Sequence, residues 1–248
     1  MKIRNKTLAI LGITFMCLFA FLIVATEQIM GSSYEELEEK EVGQNVARAS
    51  EALGAKVNSL AIMTRDYGAW DDTFNFVQGE KEGYINETLS PSIVANLETN
   101  MILYYNSSRS IYYAVGVDLE SMEEKNISSA MLEEITANDI LFTSRENQEI
   151  SGIINSPEGP LLIASYPITK TLGGESAGTI MFARYLDAAL IEELEGITKL
   201  SMDIEIFDQG EEASYPVVSP SNSEGNNFYL DHITETTITG TTILEDIN

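Results

Sequence analysis

The sequence predicts an α+β fold carried at a membrane by one N-terminal helix. Three observations predict it. A charge-free apolar run stands near the N-terminus, a long stretch with apolar residues every three or four positions follows, and the middle alternates short β-rich runs with turn residues.

The first element is the apolar run. Lys2, Arg4 and Lys6 precede a stretch from Thr7 to Thr26 that has no charge and is rich in Leu, Ile, Phe and Val. A helix of that length, at about 1.5 Å per residue, matches a hydrocarbon core of roughly 30 Å. Such residues contribute roughly −0.3 to −0.6 kcal/mol each near the bilayer centre, a sum that Thr14 does not offset. Basic residues before the run and Glu27 after it orient the N-terminus to the cytoplasm. A cleaved signal peptide is the alternative. Its apolar region is usually about 7–15 residues long, and Val24-Ala25-Thr26-Glu27-Gln28 offers no good A-x-A cleavage site. The expected organisation is a cytoplasmic tail (1–6), a transmembrane helix (7–26), an extracytoplasmic domain (27–208), and a polar loop with a terminal strand (209–248). The expected location is the cell membrane, single-pass, with the main domain outside.

Charge and cysteine content narrow the function. Three of the 14 basic residues and none of the 39 acidic ones precede the run, so the remainder carries 11 basic against 39 acidic residues, a net −28. Nucleic acid and anionic headgroups are poor partners for that surface. The single cysteine, Cys17, lies within the run, so no disulfide supports the outer part. His232 is the only histidine, and no Ser-His-Asp order, metal-ligand spacing or phosphate-binding glycine loop occurs. No catalytic residue, metal or cofactor is therefore expected. A carboxylate-pair hydrolase is the enzyme class that so many acids leave open.

Gly31-Ser32-Ser33 is a plausible break, with Glu35, Glu36 and Glu38 suited to the first turn of a new helix. From about 33 to 67 the chain reads as one helix. Val42, Val46, Ala49, Leu53, Leu60, Met63 and Tyr67 form its stripe, interrupted at Lys56, where Val57 partly substitutes. The stripe is longer than one small domain needs, so a parallel homodimer through this helix is expected.

Beyond it, Tyr84 to Thr99 reads as loop and short helix around Pro91. Asn100–Tyr105 and Ile111–Val117 read as a hairpin turning at Asn106-Ser107-Ser108-Arg109. Ser128–Ala137 is a short helix. Ile150–Ile154 and Pro160–Ile168 form a second hairpin, Gly178–Tyr185 a further strand, and Asp187 caps a helix running to Thr198. Met202–Phe207 reads as a strand, Ser214–Asn227 as polar loop, and Ile238–Ile247 as a closing strand. Helices around a central antiparallel sheet make the domain α+β.

Between the long helix and the sheet stands Asp66-Tyr67-Gly68-Ala69-Trp70-Asp71-Asp72-Thr73-Phe74-Asn75-Phe76, with the only Trp of the chain. This run resembles the signature of CHASE domains, specifically the fourth CHASE family, which are extracytoplasmic sensor modules of histidine kinases, diguanylate cyclases and related receptors. Asn100-Met101-Ile102-Leu103, Leu162–Ile168 and Ala177–Arg184 agree with it, and the resemblance covers roughly residues 35–208. It implies a Cache-like fold, a long N-terminal helix beside a PAS-like antiparallel sheet. It also implies ligand sensing by a membrane-bound receptor of histidine kinase or cyclase type, with a small molecule of unknown identity as partner. Such receptors usually continue into a second membrane helix and an output module. This sequence stops at Asn248 without them, so a truncated product, a fragment or a stand-alone sensor is expected. The alternative is a membrane-anchored surface glycoprotein with a structural or adhesive role.

Five residues are candidates for ligand contact, each with a plainer structural reading. Trp70 lines a pocket or, more commonly for a lone Trp beside Phe74 and Phe76, belongs to the core. Asp66 and Asp71 hold a cation or amine, or bond backbone where the long helix ends. Arg184 binds a ligand carboxylate, or pairs with Asp66 or Asp71. Tyr166 supplies an aromatic wall in either case. Asn86, Asn106 and Asn126 head Asn-x-Ser/Thr sequons and are candidate glycosylation sites.

Overall fold

The computed structural model describes residues 3–142, 149–204, 228–234 and 237–242, the last two stretches, and 27–36 of the first, by their backbone. Contacts divide the chain into two units, Met1–Ala47 with Ser214–Thr242 and Arg48–Ala213 with Ile243–Asn248.

Helix α1 runs from Ile3 to Gly68, 66 residues, without interruption at Gly31-Ser32-Ser33. The expected break is thus corrected. A glycine inside a helix costs only about 1 kcal/mol relative to alanine, and a helix already nucleated on both sides propagates through it. In the first unit, Lys6–Thr26 has a mean hydropathy of 2.8 with none of it buried, long and apolar enough to cross a membrane. Leu8, Phe15, Phe19 and Phe21 stand open on its surface. The hydroxyls of Thr7, Thr14 and Thr26 donate to the carbonyls of Ile3, Ile10 and Leu22, at 3.0, 3.0 and 2.7 Å. These bonds satisfy the polar atoms inside the helix itself, which hydrocarbon surroundings require. The same unit holds a hairpin of β6 (Phe228–Thr234) and β7 (Thr237–Thr242). Strand β6 was not expected. Of the expected closing strand, 238–242 falls in β7 and 243–247 lies outside the described residues, as do Ser214–Asn227.

The second unit is built on a five-stranded antiparallel sheet: β1 (Met101–Asn106), β2 (Ile111–Gly116), β3 (Ile150–Ile154), β4 (Leu161–Ile168) and β5 (Gly178–Tyr185). The strand order is β2-β1-β5-β4-β3. Expected strand and hairpin positions agree to within a residue or two. The α+β class holds, with a long helix beside a PAS-like sheet. Met202–Ile204 is not in a strand, however, and 205–207 lie outside the described residues.

Alternation along the strands gives each face its own core. One face carries Ile102, Tyr104, Leu162, Ala164, Tyr166, Ile180 and Phe182, and packs against most of the helices. These are the end of α1, α2 (Asp71–Val77), α3 (Tyr84–Thr88), α4 (Pro91–Asn96) and α6 (Ala188–Thr198). The other face carries Met101, Leu103, Tyr105, Ile163 and Met181 against α5 (Ser129–Ala137) and a 3-10 turn at Asp139–Leu141. Ser128 and Asp187 cap α5 and α6 by accepting from Met131 N and Leu190 N.

The α1 stripe divides. Leu53 and Leu60 are buried, and Val57, Met63 and Tyr67 pack on the same core. From Leu53 onward the stripe faces the chain's own sheet, not a second copy. Val42, Val46 and Ala49 are half-buried.

Candidate functional site

The signature run forms an elbow where α1 ends and α2 begins. Gly68 seats the helix end on the sheet: a Cβ there would meet Tyr166 Cδ1 at 2.7 Å and Ile180 Cγ2 at 3.0 Å. Thr169 N donates to Gly68 O at 2.9 Å, and Thr171 N to Asp71 Oδ1 at 2.9 Å, so the β4–β5 loop is tied to both sides of the bend. Tyr67 lies edge-on to Phe182 at 5.3 Å and stacks on Trp70 at 4.6 Å. Lys170 holds its ammonium 5.0 Å from the Phe74 ring centroid.

Trp70 corrects the sequence reading. It is 43 % exposed, not core. As the N-cap of α2 it has extended backbone (φ −90°, ψ 137°), and its ring stacks on Tyr67. Asp71 bonds backbone, as its plainer reading held. Asp66 is exposed on the last turn of α1. Tyr166 is buried beneath Gly68.

Below the elbow lies a chain of hydroxyls that sequence reasoning missed. Thr73 Oγ1 and Tyr84 Oη are 2.7 Å apart, and Tyr84 Oη and Tyr104 Oη 3.3 Å apart. Phe76 stacks on Tyr84 at 4.5 Å and meets Tyr104 and Tyr112 edge-on. Burial holds the Tyr104 phenol well above its usual range, reinforced by the neighbouring Tyr84. Burial also raises Tyr84, against the lowering effect of its bonds to Thr73 and Tyr104. Both phenols are neutral hydrogen-bonding groups at physiological pH. The aromatic run in β1 and β2 was the available signal; their partners came from α2 and α3, whose placement no local pattern reveals.

Arg184 is not part of the elbow. It stands four residues beyond Ile180 on β5, about 13 Å at the usual strand rise. The expected pairing with Asp66 or Asp71 is corrected. Its Nη1 contacts Glu98 Oε2 at 3.0 Å and its Nη2 contacts Glu193 Oε2 at 2.8 Å. Lys56 of α1 meets the same two carboxylates, Glu98 at 3.3 Å and Glu193 through Oε1. Burial raises Glu193, but hydrogen bonds from Lys56 and Arg184 outweigh it and leave this carboxyl below its ordinary value. On the opposite face, Ser165 Oγ is buried without a hydrogen bond among the described residues.

The sequons differ in setting. Asn86 is exposed on α3 and Asn126 in the irregular stretch before α5. Asn106 Oδ1 is occupied by Ser108 N, Ser108 Oγ and Ser110 N of the hairpin turn.

An α+β domain with the end of a long helix seated on an antiparallel sheet thus stands in a chain that also has a helix apolar enough to cross a membrane. The chain belongs to the CHASE4 domain family, whose profile matches residues 52–205. Over 222 residues it is 29 % identical to the methanogenesis regulatory histidine kinase FilI of Methanothrix harundinacea (strain 6Ac), a match covering 89 % of this chain and 23 % of that protein. The chain thus spans less than a quarter of that relative's length. Among solved structures it is similar to the extracellular domain of the candidate histidine kinase vpHK1S-Z8 (TM-score 0.48, 12 % identity, 63 % of this chain and 60 % of that one). It is also similar to the periplasmic domain of Vibrio cholerae LuxQ (TM-score 0.44, 11 % identity, 64 % and 71 %).

Proposed function

We propose that this chain is the small-molecule-sensing extracytoplasmic part of a membrane receptor of histidine kinase or cyclase type, anchored by its N-terminal helix. The observation that carries the reading is the family match over residues 52–205, in a chain whose segment Lys6–Thr26 is apolar enough to anchor it. The sensor domain is bounded by about 27 and 208, with the N-terminal tail in the cytoplasm. Of the five candidate contacts, Trp70 and Asp66 keep open surface for a ligand. Asp71, Tyr166 and Arg184 are engaged in holding the fold, and contribute by shaping the elbow and the β5 end. Asn86 and Asn126 have the room a glycan needs; Asn106 would have to give up its turn.

The receptor works as a parallel homodimer through the half-buried positions Val42, Val46 and Ala49, the part of the stripe that its own sheet does not take. A Cys17→Ser background with single cysteines tests both features. Ser59→Cys should react with a membrane-impermeant maleimide on intact cells, and Val42→Cys and Ala49→Cys should cross-link where Gln44→Cys does not. Labelling only after permeabilisation, or equal cross-linking at all three positions, contradicts the reading.

A further inference from the structure

The sheet is open and has two edges, β2 and β3. An edge strand offers unpaired N–H and C=O groups, and proteins guard such edges with bulges, charges, prolines or covering loops. Edge β2 is guarded at both ends. It bulges at Tyr112, since Tyr104 pairs with Tyr113 and Tyr105 with Ile111. At its other end Lys125 N donates to Gly116 O at 2.8 Å and Val117 bridges Glu124, so the chain folds back along the strand.

Edge β3 has none of these guards. Its register on β4 is regular at every position, from Ile150 opposite Ser165 to Ile154 opposite Leu161. The run Ile150-Ser151-Gly152-Ile153-Ile154 holds no charge and no proline. Alternate backbone groups of such a strand point away from its partner. Among the described residues, no backbone bond from outside the β4 ladder reaches them.

Beside this edge lies an open groove. Strand β3 runs along α1 in the opposite direction. Glu149 meets Arg65 at 3.3 Å, and beyond that pair Ser151–Ile153 and residues 50–58 of α1 line a cavity of about 330 Å³. Leu53, Val57 and Ile153 make its apolar floor. Gly54 keeps it open, for a Cβ there would meet nothing within 4 Å. No lining residue is charged. Gly54 follows Leu53 by one residue, about 100° around α1 from the stripe. The groove is therefore a different face from the one proposed for the homodimer.

Three features name the occupant. An open edge is satisfied by a peptide backbone, which carries donors and acceptors at the matching repeat. An uncharged groove on an exterior of net −28 favours a segment that is uncharged where it pairs and basic at its ends. A second copy fits poorly. Antiparallel pairing of β3 with itself places a twofold axis across the strands and reverses α1 along with them. The apolar segments of the two α1 helices would then point in opposite directions.

We propose that the groove between α1 and β3 is a strand-addition site. An extended segment of a partner protein pairs with β3 as a sixth strand and lays alternate apolar side chains over Leu53, Val57 and Ile153. The site stands on the fold alone and is separate from the elbow, so peptide binding can fail with metabolite sensing intact, and the reverse.

The test uses the full chain in detergent micelles and fluorescent heptapeptides Lys-x-Thr-x-Thr-x-Lys, with x as Val, Ile or Leu, read by anisotropy. At least one should bind saturably, and its binding should slow amide hydrogen exchange at 150–154. Gly54→Leu fills the groove from a position with free space around it and should weaken binding by about tenfold or more. Gly196→Leu, at an equally open glycine of α6, should leave binding unchanged. Lys-x-Thr-Pro-Pro-x-Lys lacks donors on both of its edges and should not bind. Absence of saturable binding across the set, equal binding to Gly54→Leu, or equal binding of the proline peptide overturns the proposal. So does a change of oligomeric state in Gly54→Leu without peptide, which would put a second copy on the edge. If Gly54→Leu does not fold, Ser50→Leu takes its place with the same outcomes.

Discussion

Replacing two glycines of the same helix by alanine should have opposite effects. At Gly68 an added methyl lands 2.7 Å from Tyr166 Cδ1, 3.0 Å from Ile180 Cγ2 and 3.4 Å from Pro167 O. Tyr166 is buried and the proline carbonyl belongs to β4, so neither can swing away cheaply. Overpacking of this kind costs about 1–3 kcal/mol. The gain from alanine's helix propensity is at most about 1 kcal/mol, and less at a helix end. The net for Gly68→Ala is a loss of about 1–2 kcal/mol. At Gly54 a methyl meets nothing within 4 Å, so only the propensity gain remains, about 0.5–1 kcal/mol of stabilisation. For a chain of this size 1 kcal/mol moves Tm by roughly 2–4 °C. Thermal unfolding in micelles, followed by the fluorescence of the single Trp70, reads both variants against the parent. Gly68→Ala melting at or above the parent would refute the claim that α1 is seated on the sheet through that glycine.

Three further outcomes follow from the same geometry. Trp70→Ala should cost about 1–2 kcal/mol, mainly the stack on Tyr67, well short of the roughly 3–5 kcal/mol of a buried aromatic, and iodide should quench Trp70 in the folded protein. Tyr84→Phe should cost about 1–3 kcal/mol by leaving the buried Tyr104 hydroxyl unpaired, measured by urea unfolding. The pH dependence has two arms, one at each extreme. Tyr104 and Tyr84 titrate higher when folded than unfolded, so their contribution is present below pH 10 and is lost as pH rises above it. Glu193 titrates lower when folded, so its contribution is present above its ordinary 4.5 and is lost as pH falls below it. Arg184→Gln should reduce the Glu193 part of the acid arm, which Lys56 still supports, and leave the alkaline arm in place.

Much of the fold was legible because local patterns decide it. Apolar and aromatic runs bounded by turn residues set the five strands, the Asp187 cap set one helix start, and the apolar run set the candidate span. Failures came where tertiary partners decide. Phe74 and Phe76, two apart, masked the seven-residue α2, although Asp71 and Asp72 at its start were a helix signal. Trp70 looked like core by size; it lies at the bend between α1 and α2, beside the close seat of Gly68 on the sheet, and that bend is a tertiary feature. Arg184 announced a charged partner. Choosing Glu98 and Glu193 among 39 acidic residues needed the positions of α4 and α6. The α1 stripe was read correctly as apolar, but periodicity does not say whose core it enters, and from Leu53 onward it enters its own.

The sensor reading is tested most directly by a thermal-shift titration of the full chain in micelles against a broad set of small metabolites. A ligand that binds the folded state alone raises stability by RT ln(1 + [L]/Kd), about 2.7 kcal/mol at a hundredfold excess over Kd. The account predicts at least one compound with a saturable, concentration-dependent rise in Tm that Trp70→Ala diminishes. A flat response across the set, from protein whose unfolding is cooperative, would contradict it.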